Sequence, residues 1–228
     1  MLPIIIALDF DTTKKALDLL IRCDPTLCRV KIGKGMFTRY GPDFVKQVIG
    51  LGFDVFLDLK FHDIPNTVYD ACRASVDMGI WMLNVHALGG ESMMQKAKEA
   101  VIGSSAQLMA VTLLTSMNET ELKLLGCTLS LSEMVIHLAQ LAYKSELNGV
   151  VASAHEAAVL KQRFGETFKL VTPGIRLLLD DTNDQKRIMS PKQALMNGAD
   201  YLVIGRSITM AEDPMAKLSE IQWDIMAK

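Results

Sequence analysis

Short apolar or β-branched runs recur along the chain at 3–9, 28–33, 54–60, 82–87, 108–114, 149–153, 169–173 and 201–205, with stretches of helical periodicity between them. Helix starts follow several of the runs: Asp11-Thr12 before Lys14-Lys15-Ala16-Leu17, Gly90-Glu91-Ser92 before Met93, and Ser190-Pro191 before Lys192. Strands that alternate with helices must pair in parallel. Eight such units in 228 residues predict a (β/α)8 barrel at its compact end, an α/β fold with one domain over 1–228. An open doubly wound sheet is the alternative. The barrel is preferred because polar residues gather at the C-terminal ends of many strands, at Asp9, Lys31, Asp58, Lys60, His86, Thr115, Arg176 and Arg206. In an open sheet they would cluster at one switch point. Two connections stand out for length, 115–131 after the fifth strand and 176–190 after the seventh, and long loops on that face are candidate lids.

Composition narrows the classes. Half of the residues are hydrophobic and no Pro/Gly/Ser-rich linker interrupts them, which favours one large core. With 24 basic against 26 acidic residues, no long-range field recruits nucleic acid or an anionic membrane, so any anion must be bound locally. Cys23, Cys28, Cys72 and Cys127 form no CxxC pair and no zinc-type Cys/His spacing, which suits reduced packing residues in a cytoplasmic protein. The apolar start Leu2-Pro3-Ile4-Ile5-Ile6-Ala7-Leu8 lacks a basic leader and meets Asp9 too early for a signal peptide or a membrane span. It reads as the first strand.

The densest chemistry lies in Asp58-Leu59-Lys60-Phe61-His62-Asp63-Ile64-Pro65-Asn66-Thr67, directly after the apolar run Val55-Phe56-Leu57. Side chains at i and i+2 of a strand share a face, so Asp58 and Lys60 project together, and Pro65 suits the first turn of a following helix. If the second and third strands are neighbours, Lys31, Asp58, Lys60 and Asp63 form an alternating row of charges that satisfies itself inside a barrel mouth. Opposite charges favour the charged form of a lysine, so Lys60 reads as an acid and not as a Schiff-base nucleophile. A second constellation, Gly174-Ile175-Arg176 and Gly205-Arg206, falls after the seventh and eighth strands, where barrel enzymes bind phosphate monoesters. Asp9 suits either sugar hydroxyls or the turn into the first helix. Thr115 and Ser116 offer hydroxyls at the fifth strand's end, or an ordinary turn. His86 is expected to be a hydrogen-bonded residue behind the site. No metal-ligand cluster is apparent.

These residues resemble the orotidine 5′-phosphate decarboxylase family over the whole chain. The 58–67 segment carries the likeness, with Ala7-Leu8-Asp9, Val30-Lys31-Ile32-Gly33, Asn84-Val85-His86-Ala87, Leu114-Thr115-Ser116-Met117, Thr172-Pro173-Gly174-Ile175-Arg176, Asp184-Gln185-Lys186-Arg187 and Val203-Ile204-Gly205-Arg206 in the same order. The resemblance implies loss of carbon dioxide from orotidine 5′-monophosphate to give uridine 5′-monophosphate, with no cofactor and no metal, as the last step of making pyrimidine nucleotides. It implies that Lys60 donates the proton, that Asp58 sits beside the substrate carboxylate, and that Lys31 and Asp9 hold the ribose. Thr115 and Ser116 would face the pyrimidine, and Arg176, Gln185, Gly205 and Arg206 would bind phosphate, Gln185 from a closing 176–190 loop. A homodimer is implied, with Asp63 and Thr67 reaching the partner's site. Related magnesium-dependent sugar-phosphate enzymes share Asp-x-Lys-x-x-Asp but place a metal-binding glutamate where this chain has Lys31, a cation that would repel magnesium. A barrel that binds phosphosugars without catalysis is a third reading, disfavoured because every expected catalytic position is filled.

Overall fold

Alternate side chains of the first strand, β1 (Ile4–Ala7), enter two different cores. Ile5 and Ala7 pack with Phe56, Met82, Met109, Val171, Tyr201 and Val203, while Ile4, Ile6 and the following Leu8 pack with Ala16, Leu19 and Leu20 of a helix. The period of two thus divides a barrel interior from a barrel–helix layer.

The computed structural model describes residues 3–176 and 189–226. After β1 come β2 (Arg29–Gly33), β3 (Val55–Phe61), β4 (Met82–His86), β5 (Gln107–Val111), β6 (Gly149–Val151), β7 (Lys169–Thr172) and β8 (Tyr201–Ile204). They pair in parallel and in chain order, and β8 closes on β1. The helices are α1 (Thr13–Leu20), α2 (Lys34–Gly50), α3 (Pro65–Asp77), α4 (Gly90–Val101), α5 (Glu119–Leu124), α6 (Leu131–Lys144), α7 (Ala157–Phe164), α8 (Pro191–Met196), α9 (Arg206–Thr209) and α10 (Pro214–Met226). The chain is therefore the expected (β/α)8 barrel, with the strand runs where the apolar pattern put them.

Local signals account for the helix starts. Thr12 and Ser190 accept the N–H groups of Lys15 and Gln193, each at 3.3 Å, and Pro65 occupies the first position of α3. One connection departs from expectation. The 115–131 segment is not a plain lid loop, because Asn118 and Glu121 form a reciprocal capping box that opens α5, and Ser130 and Glu133 form another that opens α6. The other long connection falls largely outside the described residues, between Arg176 and Met189.

The N-terminal end of the barrel is stoppered. The Arg29 guanidinium lies 4.3 Å from the Trp81 ring centre and 5.7 Å from that of Tyr201, and its Nε pairs with Asp54 at 3.1 Å. Above the stopper, Phe56 fills the middle of the interior and is 1% exposed. Phe56→Ala should cost about 3–5 kcal/mol in urea unfolding, since a closed ring of strands cannot collapse onto the void. A loss under about 1 kcal/mol would contradict this packing.

Candidate active site

The pairing of β2 with β3 sets Lys31 beside Asp58, and these two meet Asp9, just past the end of β1, and Lys60, later in β3. Lys60 Nζ lies 2.6 Å from Asp58 Oδ1, Lys31 Nζ lies 3.4 Å from Asp58 Oδ2, and Lys31 also lies 3.4 Å from Asp9 Oδ1. The row within one chain therefore reads Asp9, Lys31, Asp58, Lys60. Asp63 was expected at its end, but among the described residues it makes no ion pair, and its carboxylate instead accepts the Ile64 N–H at 2.7 Å. The turn before Pro65 carries Asp63 and Thr67 to the exposed rim, away from the row. Gly33 makes room for the row: a Cβ there would stand 3.2 Å from Lys31 Nζ and 3.4 Å from Asp9 Oδ1.

The Asp58 side chain is 12% exposed and that of Lys31 is 11% exposed, so their charges are largely withdrawn from water. Burial is the largest single influence on Asp58 and pushes its carboxyl up. Lys31, Lys60 and the hydrogen bonds from Lys60 and Asn84 outweigh it, and hold the group below the usual carboxylate range. Asp58 is thus a fixed negative charge clamped between two ammonium groups.

The row opens into a cavity of about 680 Å³ at the C-terminal face of the barrel. Asp9, Lys31, Asp58, Lys60, Thr115, Ser116, Arg176, Gly205 and Arg206 all line it. Of the other expected site residues, Asp63 and Thr67 stay outside this cavity, and Gln185 lies outside the described residues. The β7 and β8 side of the cavity brings together Gly174, Arg176, Gly205 and Arg206. Gly174 has φ +78°, and its carbonyl and the Arg176 N–H exchange hydrogen bonds with the backbone of Met189, which ties together the two ends of the 176–190 connection. The Arg176 Nε is buried and has no hydrogen-bond partner among the described residues. A wider depression of about 1080 Å³ at the opposite end gathers Gln107, Asn148, Lys169 and Tyr201, but Lys169 is already paired with Asp200 at 2.9 Å and no comparable row of charge lies there.

Asn84 was quoted in the sequence only as part of a motif, yet its side chain bonds both Asp58 and the backbone of Lys60. Its signal was a lone amide inside the apolar strand Met82–His86. His86 lies behind the row as expected: its Nδ1 accepts the Leu88 N–H at 3.3 Å, so the neutral ring carries its proton on Nε2. Its ring stacks on His62 at 5.5 Å.

The family model described as orotidine 5′-phosphate decarboxylase / HUMPS family matches residues 2–221. The chain is 58% identical to orotidine 5′-phosphate decarboxylase of Pseudoalteromonas translucida, over 97% of this chain and 96% of that one. It is 53% identical to the protein of the same name from Saccharophagus degradans, over 96% and 92%. Among solved structures, orotidine 5′-phosphate decarboxylase from Lactobacillus acidophilus superposes with a TM-score of 0.89 at 37% identity, covering 100% of both chains.

Burial, reinforced by the nearby His62, Lys60 and Lys34, pulls His86 down to about 4 from an ordinary 6.5. Between those values the unfolded chain binds a proton that the folded chain refuses. His86 therefore contributes stability that is whole above pH 6.5 and is lost as the pH falls from 6.5 toward 4. Histidine NMR titration should find the His86 ring neutral down to about pH 5, and a midpoint near 6.5 would contradict the site as described.

Proposed function

The chain belongs to the orotidine 5′-phosphate decarboxylase / HUMPS family, and from that premise we infer that its barrel mouth converts orotidine 5′-monophosphate to uridine 5′-monophosphate and carbon dioxide. The observation that carries the catalytic reading is the Asp58-centred row, with Lys60 Nζ fixed 2.6 Å from Asp58 and turned into the cavity.

Breaking the bond from the ring to its carboxylate leaves the electron pair on ring carbon 6, where resonance barely spreads it. The site must therefore supply the stabilisation. An ammonium already held in place by Asp58 needs no reorganisation as that charge grows, and it delivers a proton to the carbanion once carbon dioxide departs. Asp58 would lie beside the substrate carboxylate, so the repulsion between the two negative charges is relieved when carbon dioxide is lost. Lys31 and Asp9 hold the ribose hydroxyls, Thr115 and Ser116 face the pyrimidine, and Arg176, Gly205 and Arg206 take the phosphate with Gln185. Binding energy from the phosphate end can then be expressed in the transition state. The reaction proceeds without a metal or cofactor. Lys31 Nζ, 3.4 Å from both Asp9 and Asp58, stands where the magnesium-dependent sugar-phosphate enzymes of the same superfamily place a metal-binding glutamate, and its positive charge would repel the ion.

The working unit is a homodimer in which Asp63 and Thr67 complete the partner's site. Supporting this, both residues are exposed beside Ile64, which is 68% exposed, and Asp63 has no ion-pair partner among the described residues. A soluble nucleotide substrate fits a cytoplasmic enzyme, and no helix among the described residues is long and apolar enough to cross a membrane.

The loss of orotidine 5′-monophosphate absorbance should proceed in EDTA, and Lys60→Ala should lower kcat by at least about a thousandfold. Turnover that needs added magnesium and a sugar phosphate would overturn the assignment. For the dimer, mixing inactive Lys60→Ala with inactive Asp63→Ala under exchange should restore about a quarter of wild-type activity, because half the dimers are hybrids with one intact site. No recovery despite demonstrated exchange would place Asp63 in its own subunit's chemistry.

A further inference from the structure

Beneath the charge row, the β3–β4 ladder is irregular. Leu57 pairs with Leu83 and Phe61 pairs with Val85, so three residues of β3, Asp58, Leu59 and Lys60, stand against the single residue Asn84. Such a bulge re-aims side chains and leaves backbone groups without ladder partners. Here it also forces Lys60 to φ +52°, a left-handed backbone that a side-chain-bearing residue adopts only when its surroundings impose it. The imposing group is the Asn84 amide. Its Oδ1 accepts the Lys60 N–H at 2.8 Å, and its Nδ2 donates to Asp58 Oδ1 at 2.7 Å. Asn84 is 0% exposed, and the two contacts fix its orientation, since a reversed amide would set donor against donor and oxygen against oxygen.

We propose that Asn84 is the positioning residue of this site: one buried amide holds the Lys60 backbone in its left-handed turn and the Asp58 carboxylate in its rotamer, so that the lysine ammonium meets the reacting carbon. The proposal rests on the decarboxylase reading above. Asn84 touches no substrate and acts through the two residues that do. Apolar packing would not serve in its place. An aliphatic residue there would bury the Lys60 N–H without a partner and release the bulge to a more regular ladder, which would turn Lys60 away. The strain thus sits next to the reacting atoms and is held by a group that the chemistry itself does not consume.

The test compares Asn84→Leu and Asn84→Asp with wild type for turnover of orotidine 5′-monophosphate and for affinity for the product uridine 5′-monophosphate, which has no carboxylate and is gripped at the phosphate and ribose. Asn84→Leu removes both contacts and should lower kcat roughly 10–100-fold, while product affinity changes less than about threefold. Asn84→Asp keeps the acceptor for Lys60 N–H but sets a second carboxylate against Asp58. It should retain more activity than Asn84→Leu at its optimum, with the acid limb of its kcat/KM profile moved to higher pH because Asp58 has lost a donor and gained a like charge. Wild-type kcat and an unmoved acid limb in both variants would overturn the proposal and leave Asn84 as a filler of the ladder gap. So would loss of product binding along with turnover in both, which would make it a folding residue. If wild type itself fails to turn over the substrate, the decarboxylase reading falls and not this one alone.

Discussion

The structure turns on one carboxylate that is taken out of water between two ammonium groups. Burial pushes the Asp58 carboxyl toward neutrality, and Lys31, Lys60 and Asn84 outweigh it, while Asp58 in turn pairs with both lysines at the barrel mouth. Removing Asp58 leaves Lys60 with no ion-pair partner among the described residues, and removing either lysine leaves Asp58 with only one. The barrel supplies what this arrangement needs. Its closed parallel pairing brings β1, β2, β3 and β4 side by side, so Asp9 just past the end of β1, Lys31 of β2, Asp58 of β3 and Asn84 of β4 converge on one spot. Side-chain packing of Phe56, Met82 and Met109 below, and the Arg29–Trp81–Tyr201 stopper beneath that, give the row a rigid floor.

The cavity separates two tasks. On one side lie Asp9, Lys31, Asp58 and Lys60; on the other lie Arg176, Gly205 and Arg206. In the proposed reaction this division would let binding of the non-reacting phosphate contribute to lowering the barrier. The bridge of Ile175 to Met189 anchors both ends of the intervening segment next to Arg176.

Much of this was legible in the sequence because buried parallel strands leave short apolar runs and because charge at a strand's end has few structural excuses. Asp58 and Lys60 on β3, Lys31 on β2, and the arginines after β7 and β8 stand out by that contrast alone. What was hidden depended on non-local geometry. Asp9 joins the row only because β1 and β2 are neighbours, whereas it would serve equally well as a turn residue in the sequence. Asp63, three residues from Lys60, looked like its partner, but the left-handed backbone at Lys60 and the turn into Pro65 send it to the rim. Asn84 carried no pattern beyond its polarity, since a bulge in one strand and the amide that fills it are separated by 24 residues. The helix α5 was hidden for a different reason, its capping box at Asn118 and Glu121 lying inside a stretch too short and polar to show helical periodicity.

The proposed role of Lys60, held by Asp58 and the strand beneath it where negative charge would develop on the pyrimidine, can be tested by a crystal structure with bound uridine 5′-monophosphate. Lys60 Nζ should lie within about 3.5 Å of ring carbon 6, with the phosphate on Arg176 and Arg206. A nucleotide seated in the cavity with its ring turned away from Lys60 would contradict it.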